Sequence, residues 1–198
     1  MSFLGQETSL LELAAALSGL ASVWLTMRMS IWNWPTGIVS VVCYFVVFIG
    51  AKLYADAGLQ IFFLVFCIYG WWKWLQAGGS HTAQLAPAAI PAGEWAAGAG
   101  LGVLAIVAIA LSLSRWTDSP VPWADSSLTS ASLVATWAQA RRDIKSWWIW
   151  IAVDCIAVPL YWMRGLPLTS GLYFLFLLIC IQGLIAWNRL SRVEAEPA

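Results

Sequence analysis

Residues 31–74 have the sequence "IWNWPTGIVSVVCYFVVFIGAKLYADAGLQIFFLVFCIYGWWKW", and their pattern returns 113 positions later without a gap. The shift carries Trp34 onto Trp147 and Trp74 onto Trp187. Identities also occur at Leu20 with Leu133, Trp24 with Trp137, Arg28 with Arg141, Ile31 with Ile144, Gly58 with Gly171, Cys67 with Cys180 and Gly70 with Gly183. A fixed register over this length indicates an internal duplication.

The composition excludes a soluble domain, because 61% of the 198 residues are hydrophobic and 10% are charged. Apolar runs without alternation argue against a membrane β-barrel and for spanning helices, which need about 20 apolar residues each. The sequence therefore predicts an all-α membrane protein with seven transmembrane helices. The expected spans are 10–29, 34–53, 57–76, 95–114, 126–141, 144–163 and 167–187.

The duplication pairs the first three helices with the last three and leaves the fourth unpaired. The predicted architecture is therefore 3+1+3, with a first triple-helix bundle at 10–76, a linker helix at 95–114 and a second bundle at 126–188. Because the linker crosses the membrane once more, the two repeats run parallel. Two packed repeats with a seam between them are typical of secondary transporters.

Lysine and arginine are distributed unevenly between the two sides of the predicted bundle. Loops on the side of the N-terminus contain Lys52, Arg115 and Arg164. The opposite side contains Arg28, Lys73, Arg141, Arg142, Lys145, Arg189 and Arg192. The positive-inside rule then predicts an outside N-terminus and a cytoplasmic C-terminus.

Asp154 is an acid near the middle of the sixth helix, where a carboxylate costs about 2.5 to 3.5 kcal/mol on insertion. Its repeat mate is Val41, so the duplication is broken at this depth. A single off-axis ligand site would require such a break. The alternative is a carboxylate that hydrogen-bonds to a neighbouring helix for packing alone.

Aromatic residues share the helical face of Asp154 at positions Trp147, Trp150 and Tyr161. A carboxylate among aromatic rings suits a flat cationic ligand, which stacks on the rings and gains cation–π attraction. The alternative for Trp147 is an interfacial anchor near the basic loop that precedes it.

Polar residues form stripes on three further helices, where lipid would not tolerate them. The second helix carries Asn33, Ser40 and Tyr44 on one face. Gln60 of the third helix and Tyr173 of the seventh are repeat mates, and Thr169 precedes Tyr173 by one turn. These side chains either line a cavity or make hydrogen bonds between helices. The predicted substrate-binding set is Asn33, Ser40, Tyr44, Gln60, Trp147, Trp150, Asp154, Thr169 and Tyr173.

Catalytic and metal-binding motifs are missing from the sequence. Its four cysteines lie in apolar helices without CxxC spacing, so free thiols are expected. The single histidine, His81, falls in a Gly- and Pro-rich loop, where a solvated side chain is the ordinary outcome. We expect no enzyme activity, no cofactor, no metal and no nucleic-acid partner.

The runs at 31–74 and 147–187 resemble the Pnu family of bacterial vitamin transporters. The resemblance is weakest at the first, fourth and fifth helices. It implies a 3+1+3 fold akin to the SWEET sugar transporters, a site at the membrane midplane between the bundles and facilitated diffusion across the inner membrane. It also implies trapping of the vitamin by a cytoplasmic kinase, and a homo-oligomer such as a homotrimer.

Members of that family that carry nicotinamide riboside have a WxNWxxW pattern on the sixth helix. Here Trp147 and Trp150 match its last two tryptophans, whereas Ile144 and Ser146 replace its first Trp and its Asn. Nicotinamide riboside is the expected substrate. Thiamine, another flat cation, is the main alternative, followed by riboflavin and deoxynucleosides.

Two hypotheses from other classes are an intramembrane enzyme and a membrane scaffold. An enzyme would need a catalytic partner for Asp154, and the spans contain no second mid-membrane acid or histidine. A scaffold would show no response to any vitamin.

Overall fold

A computed structural model describes residues 2–3, 6–7, 10–52, 54–78, 85–116, 122–163, 165 and 167–195. Its seven helices are α1 (Leu10–Met27), α2 (Asn33–Gly50), α3 (Tyr54–Ala77), α4 (Ala92–Trp116), α5 (Pro122–Ala140), α6 (Lys145–Met163) and α7 (Pro167–Ala195). Two short antiparallel strands, β1 (Ser2–Phe3) and β2 (Gln6–Glu7), precede α1. His81 and Arg164 lie outside the described residues.

The helix bounds follow the predicted spans closely, with the largest differences at α5 and α7. Helix α5 begins at Pro122 rather than 126, and α7 continues to Ala195 instead of ending near 187. Proline is well suited to a first helical turn, because its missing N–H has no intrahelical partner there. Six of the helices in the described chain are long and apolar enough to cross a membrane, and α5 is the exception.

Helix α5 is less apolar because serines face its neighbour. Ser126 and Ser130 are buried, and the Ser130 hydroxyl donates a hydrogen bond of 2.6 Å to the Gly102 carbonyl of α4. Small residues allow this close approach of two helix backbones. The hydroxyl groups of Ser126 and Ser130 therefore lie inside the protein.

The chain divides into two compact units, Met1–Ala86 and Pro87–Ala198. In the first unit, α2 packs against both α1 and α3. In the second unit, α4 packs on α5, α5 on α6, and α6 on α7. The fourth helix thus belongs to the same unit as the last three.

The loops that open α2 and α6 have the same backbone geometry in both units. Met29 and its mate Arg142 are left-handed, with φ of 54° and 61°. The next residue donates its N–H across the turn in each case, from Ser30 to the Leu25 carbonyl and from Asp143 to the Ala138 carbonyl, both at 3.0 Å. The duplication that the sequence indicates is therefore present in the local backbone.

Each unit also contains the same tryptophan pair in its core. Trp34 meets Trp74 edge to face with ring centroids 5.5 Å apart, and Trp147 meets Trp187 likewise at 5.3 Å. The first ring of each pair lies against a glycine, Gly70 in α3 or Gly183 in α7. The two bundles are thus packed in the same way, because a glycine without a side chain leaves room for an indole ring between two helices.

Candidate functional site

The polar stripe of α2 is turned largely toward α1. Ser40 is buried and its hydroxyl donates to the Ala15 carbonyl at 2.8 Å. The Asn33 amide nitrogen donates to the Thr26 hydroxyl at 2.9 Å. Two of the predicted site residues therefore hold α1 against α2. Asn33 keeps a free acceptor, because its Oδ1 has no hydrogen-bond partner among the described residues.

Tyr44 and Gln60 occupy less buried positions of the first unit. Tyr44 stacks on Phe48 with ring centroids 5.7 Å apart. Gln60 lines an open concavity between α2 and α3. The other lining residues are apolar: Val41, Val42, Phe45, Ile61 and Leu64. Gln60 supplies the amide in this otherwise hydrophobic concavity.

Trp147 and Trp150 have different surroundings, although both lie on α6. Trp147 is fully buried between Trp187 and Gly183. Trp150 is half-buried, and its indole N–H donates to the Gln139 amide oxygen of α5 at 3.1 Å. Trp147 is thus a core residue of the second bundle. The ring of Trp150 is more accessible, with its orientation fixed by Gln139.

Asp154 is almost completely buried, with 2% of its surface exposed. Its carboxyl group is hydrogen-bonded to the thiol of Cys180 on α7. The second carboxyl oxygen, Oδ2, has no hydrogen-bond partner among the described residues. A thiol is a weak donor. The α6–α7 interface therefore contains a strong acceptor that is only partly satisfied, and such a group requires an explanation.

The face of α7 that meets α6 carries the remaining predicted residues. Tyr173 stacks on Tyr161 with ring centroids 5.1 Å apart. Thr169 is half-buried, next to Ser170, whose hydroxyl donates to the Val158 carbonyl at 2.8 Å. The second unit therefore supplies aromatic rings and an acid at one helix interface. The structure describes each unit by itself, so Asn33, Ser40, Tyr44 and Gln60 are placed relative to the first unit only.

Besides Asp154 Oδ2, four buried polar atoms of the described residues lack hydrogen-bond partners at repeat-equivalent positions, all at the start of α2 or α6. They are Asn33 Oδ1 and Trp34 Nε1 in the first unit, and Ser146 Oγ and Trp147 Nε1 in the second. Asn33 and Trp147 belong to the predicted substrate-binding set, whereas Trp34 and Ser146 do not. The 113-residue shift, which pairs Asn33 with Ser146, was the signal that could have found them.

Metal chemistry has no support in the described part of the chain, where no group of three His, Cys, Asp or Glu side chains could hold an ion. All four cysteines are free thiols, as expected from their spacing. The arrangement can bind and orient a molecule through rings and one carboxylate.

A profile of known sequences identifies the family. The profile described as nicotinamide mononucleotide transporter matches residues 9–189. The chain belongs to this family. Its predicted membership of the Pnu vitamin transporters is confirmed.

Two curated relatives match nearly the whole chain. The riboflavin/roseoflavin transporter RibM of Streptomyces davaonensis is 29% identical over 190 residues, covering 94% of this chain and 88% of its own. The nicotinamide riboside transporter PnuC of Escherichia coli is 23% identical over 223 residues, covering 98% and 91%.

The fold also matches a solved structure. The crystal structure of the vitamin B3 transporter PnuC superposes with a TM-score of 0.73 at 24% identity, covering 92% of this chain and 82% of that one. The chain is therefore a helical, multi-pass membrane protein of a transport family. Its relatives are transporters and not enzymes.

Proposed function

We propose that this protein carries a flat, cationic vitamin precursor across the bacterial inner membrane, and that nicotinamide riboside is its substrate. The observation that carries the proposal is Asp154, a buried acid of α6 whose carboxyl oxygen Oδ2 has no hydrogen-bond partner among the described residues. A ligand cation would supply the missing partner. Trp150 and Tyr173 would stack on its planar ring.

Energetics favour a ligand role for Asp154 over a packing role. A carboxylate buried without a charged or strongly hydrogen-bonding partner destabilises a protein. Packing alone would be served better by an apolar residue, and the first repeat has one at the equivalent position, Val41. Retaining an acid in one repeat only is understandable if a ligand uses it.

The proposed site lies between the two triple-helix bundles in a SWEET-like 3+1+3 arrangement, with α4 as the linker and the repeats parallel. It would draw on both repeats, as in other transporters that are built from packed repeats. The N-terminus would lie outside and the C-terminus in the cytoplasm. A homotrimer and a cytoplasmic vitamin kinase that traps the substrate complete the proposal.

Riboflavin is the second candidate, and two observations favour it. The relative with 29% identity is a riboflavin/roseoflavin transporter. Ile144 and Ser146 also replace two side chains of the sixth-helix pattern found in nicotinamide riboside transporters. Riboflavin is flat but uncharged, so it would use the aromatic rings and leave Asp154 without a charge partner.

Calorimetric titration of the purified protein in detergent separates these substrates. Nicotinamide riboside should bind, thiamine should bind less tightly, and riboflavin and a deoxynucleoside should give no heat at the same concentrations. Binding of riboflavin alone would contradict the cationic substrate and support the second candidate. Binding of none of the four would favour a scaffold.

Transport is expected to be facilitated diffusion, because the described spans contain one mid-membrane acid and no His or Lys that could complete a proton relay with it. Uptake of labelled nicotinamide riboside into proteoliposomes should therefore be the same with and without a proton or sodium gradient. Empty liposomes provide the background. Accumulation above the outside concentration, with no kinase in the lumen, would contradict this prediction.

A further inference from the structure

Asp143 is a buried acid outside the predicted site, in the loop between α5 and α6, with 3% of its surface exposed. One carboxylate oxygen, Oδ2, accepts hydrogen bonds from the Ile90 N–H at 2.8 Å and from the Trp95 indole N–H at 2.9 Å. The other, Oδ1, accepts from the Lys145 N–H at 2.8 Å. One side chain thus joins the start of α4 to the start of α6.

The first repeat shows that the loop itself does not need this acid. Ser30 is the repeat mate of Asp143. Its loop has a left-handed residue at the equivalent position and the same backbone hydrogen bond to the end of the preceding helix. What the second unit has in addition is the segment that leads into α4. The segment therefore explains the contacts of Oδ2, whereas Oδ1 caps the start of α6.

Further contacts join the same two parts of the second unit. The Ala88 N–H donates to the Arg142 carbonyl at 3.0 Å. Arg141 and Glu94 form an ion pair of 2.7 Å, exposed enough for reagents to reach. Trp95 packs edge to face on Trp137 with centroids 5.6 Å apart. Several contacts therefore join the start of α4 to the end of α5 and the loop that follows, and Asp143 is the buried polar side chain among them.

We propose that Asp143 is a positioning residue for transport, which fixes α4 to the second bundle and holds the first turn of α6 ahead of Trp147 and Trp150. The inference rests on the proposed transport function. It follows that α4 and the second bundle move as one rigid body during the transport cycle. Loss of the carboxylate frees the start of α4 and loosens the helix that carries the proposed ligand-binding residues.

The variant Asp143→Ser tests the first step, since serine is the residue with which the equivalent loop folds in the first repeat. Hydrogen exchange of amides in 85–95 should accelerate by about tenfold or more, because both hydrogen bonds that this segment donates to the Asp143 carboxylate are lost. Exchange in α1 to α3 should be unchanged. Asp56→Asn, which removes an exposed acid in the first turn of α3, is the matched control. Unchanged exchange at 85–95 in Asp143→Ser would overturn the proposal, and this measurement requires no ligand.

A cross-link tests the second step. Glu94→Cys with Arg141→Cys, in a background with Cys43→Ala and Cys155→Ala, places two accessible thiols at the ion-pair positions for a short bifunctional thiol reagent. Uptake of nicotinamide riboside and of riboflavin is measured before and after cross-linking. The cross-linked parent should retain uptake. Before cross-linking, Asp143→Ser should take up the vitamin about fivefold or more slowly than the parent. Cross-linking should restore most of the uptake rate that this variant has lost.

Two outcomes of the cross-link would overturn the proposal. Cross-linking that stops uptake by the parent would show that α4 moves against the second bundle. Cross-linking that leaves Asp143→Ser as slow as before would show that the acid acts in some other way. If the parent transports neither vitamin, the proposed function fails, and the hydrogen-exchange result still decides the role of Asp143.

Discussion

Replacing Gly183 by alanine is expected to lower the apparent midpoint of thermal unfolding in detergent by about 5 to 10 °C. A Cβ at this position would lie 2.6 Å from two atoms of the Trp147 ring, a distance that packed atoms do not tolerate. Trp147 is fully buried and held edge to face by Trp187, so the ring cannot move aside. Either α6 and α7 separate or the indole leaves its rotamer, and both cost packing energy.

Gly171→Ala is the matched control, because Gly171 lies on the same helix and a Cβ there would meet nothing within 4 Å. This variant should be neutral or slightly stabilising, since alanine favours a helix over glycine by up to about 1 kcal/mol. The double variant Gly183→Ala with Trp147→Leu should recover part of the loss by removing the clashing ring. Equal midpoints for Gly183→Ala and Gly171→Ala would show that the packing of Trp147 does not limit stability.

The helices could be predicted because the sequence contains all of them but α4 twice. The length of an apolar run predicts the length of a spanning helix. The 113-residue register allows a less apolar helix to be predicted from its clearly apolar repeat mate. Helix α5 is the example: its serines make it less apolar than the other helices, and the register with α1 indicates a helix there. Ser130 then explains the composition, because its hydroxyl bonds to the Gly102 carbonyl, which no local pattern reveals.

The predicted site residues illustrate what helical periodicity can and cannot supply. Periodicity places Asn33 and Ser40 on one face of α2, but it does not say which neighbour that face meets, and the structure shows that it meets α1. Trp147 likewise shares a stripe with Asp154 and proves to be packed in the core. Partners across an interface depend on tertiary packing, which spacing along one helix does not encode.

Asp143 was missed for a related reason. In the sequence it is one acid in a basic loop, next to Arg141 and Arg142, and a solvated charge is the ordinary expectation there. Its burial results from the segment before α4 folding over the loop, more than 50 residues away in the chain. The one available signal was the replacement of Ser30 by an acid in the second repeat.

The second large effect is expected at the proposed binding site. Asp154→Asn should weaken binding of nicotinamide riboside by about 5- to 150-fold, corresponding to the roughly 1 to 3 kcal/mol of a charge-assisted contact. The amide has nearly the same volume as the acid, so packing against Cys180 is preserved, while the negative charge is lost. Trp150→Ala should also weaken binding, through lost stacking and cation–π contact.

Controls separate a lost ligand contact from lost stability. Removing a buried charge is often neutral or stabilising for the fold, so the melting midpoint of Asp154→Asn should not fall. Asp56→Asn removes an exposed acid in the first turn of α3, outside the proposed site, and should leave affinity unchanged. Both variants and the parent are titrated by calorimetry with nicotinamide riboside and with thiamine.

The response to uncharged riboflavin then identifies what the carboxylate does. An acid that recognises charge should matter for both cations and change riboflavin binding, where there is any, by less than about threefold. If Asp154→Asn binds either cation as tightly as the parent, the acid is a packing residue that shares a hydrogen bond with Cys180. In that case the aromatic rings alone select the substrate, and an uncharged flat vitamin becomes the better candidate.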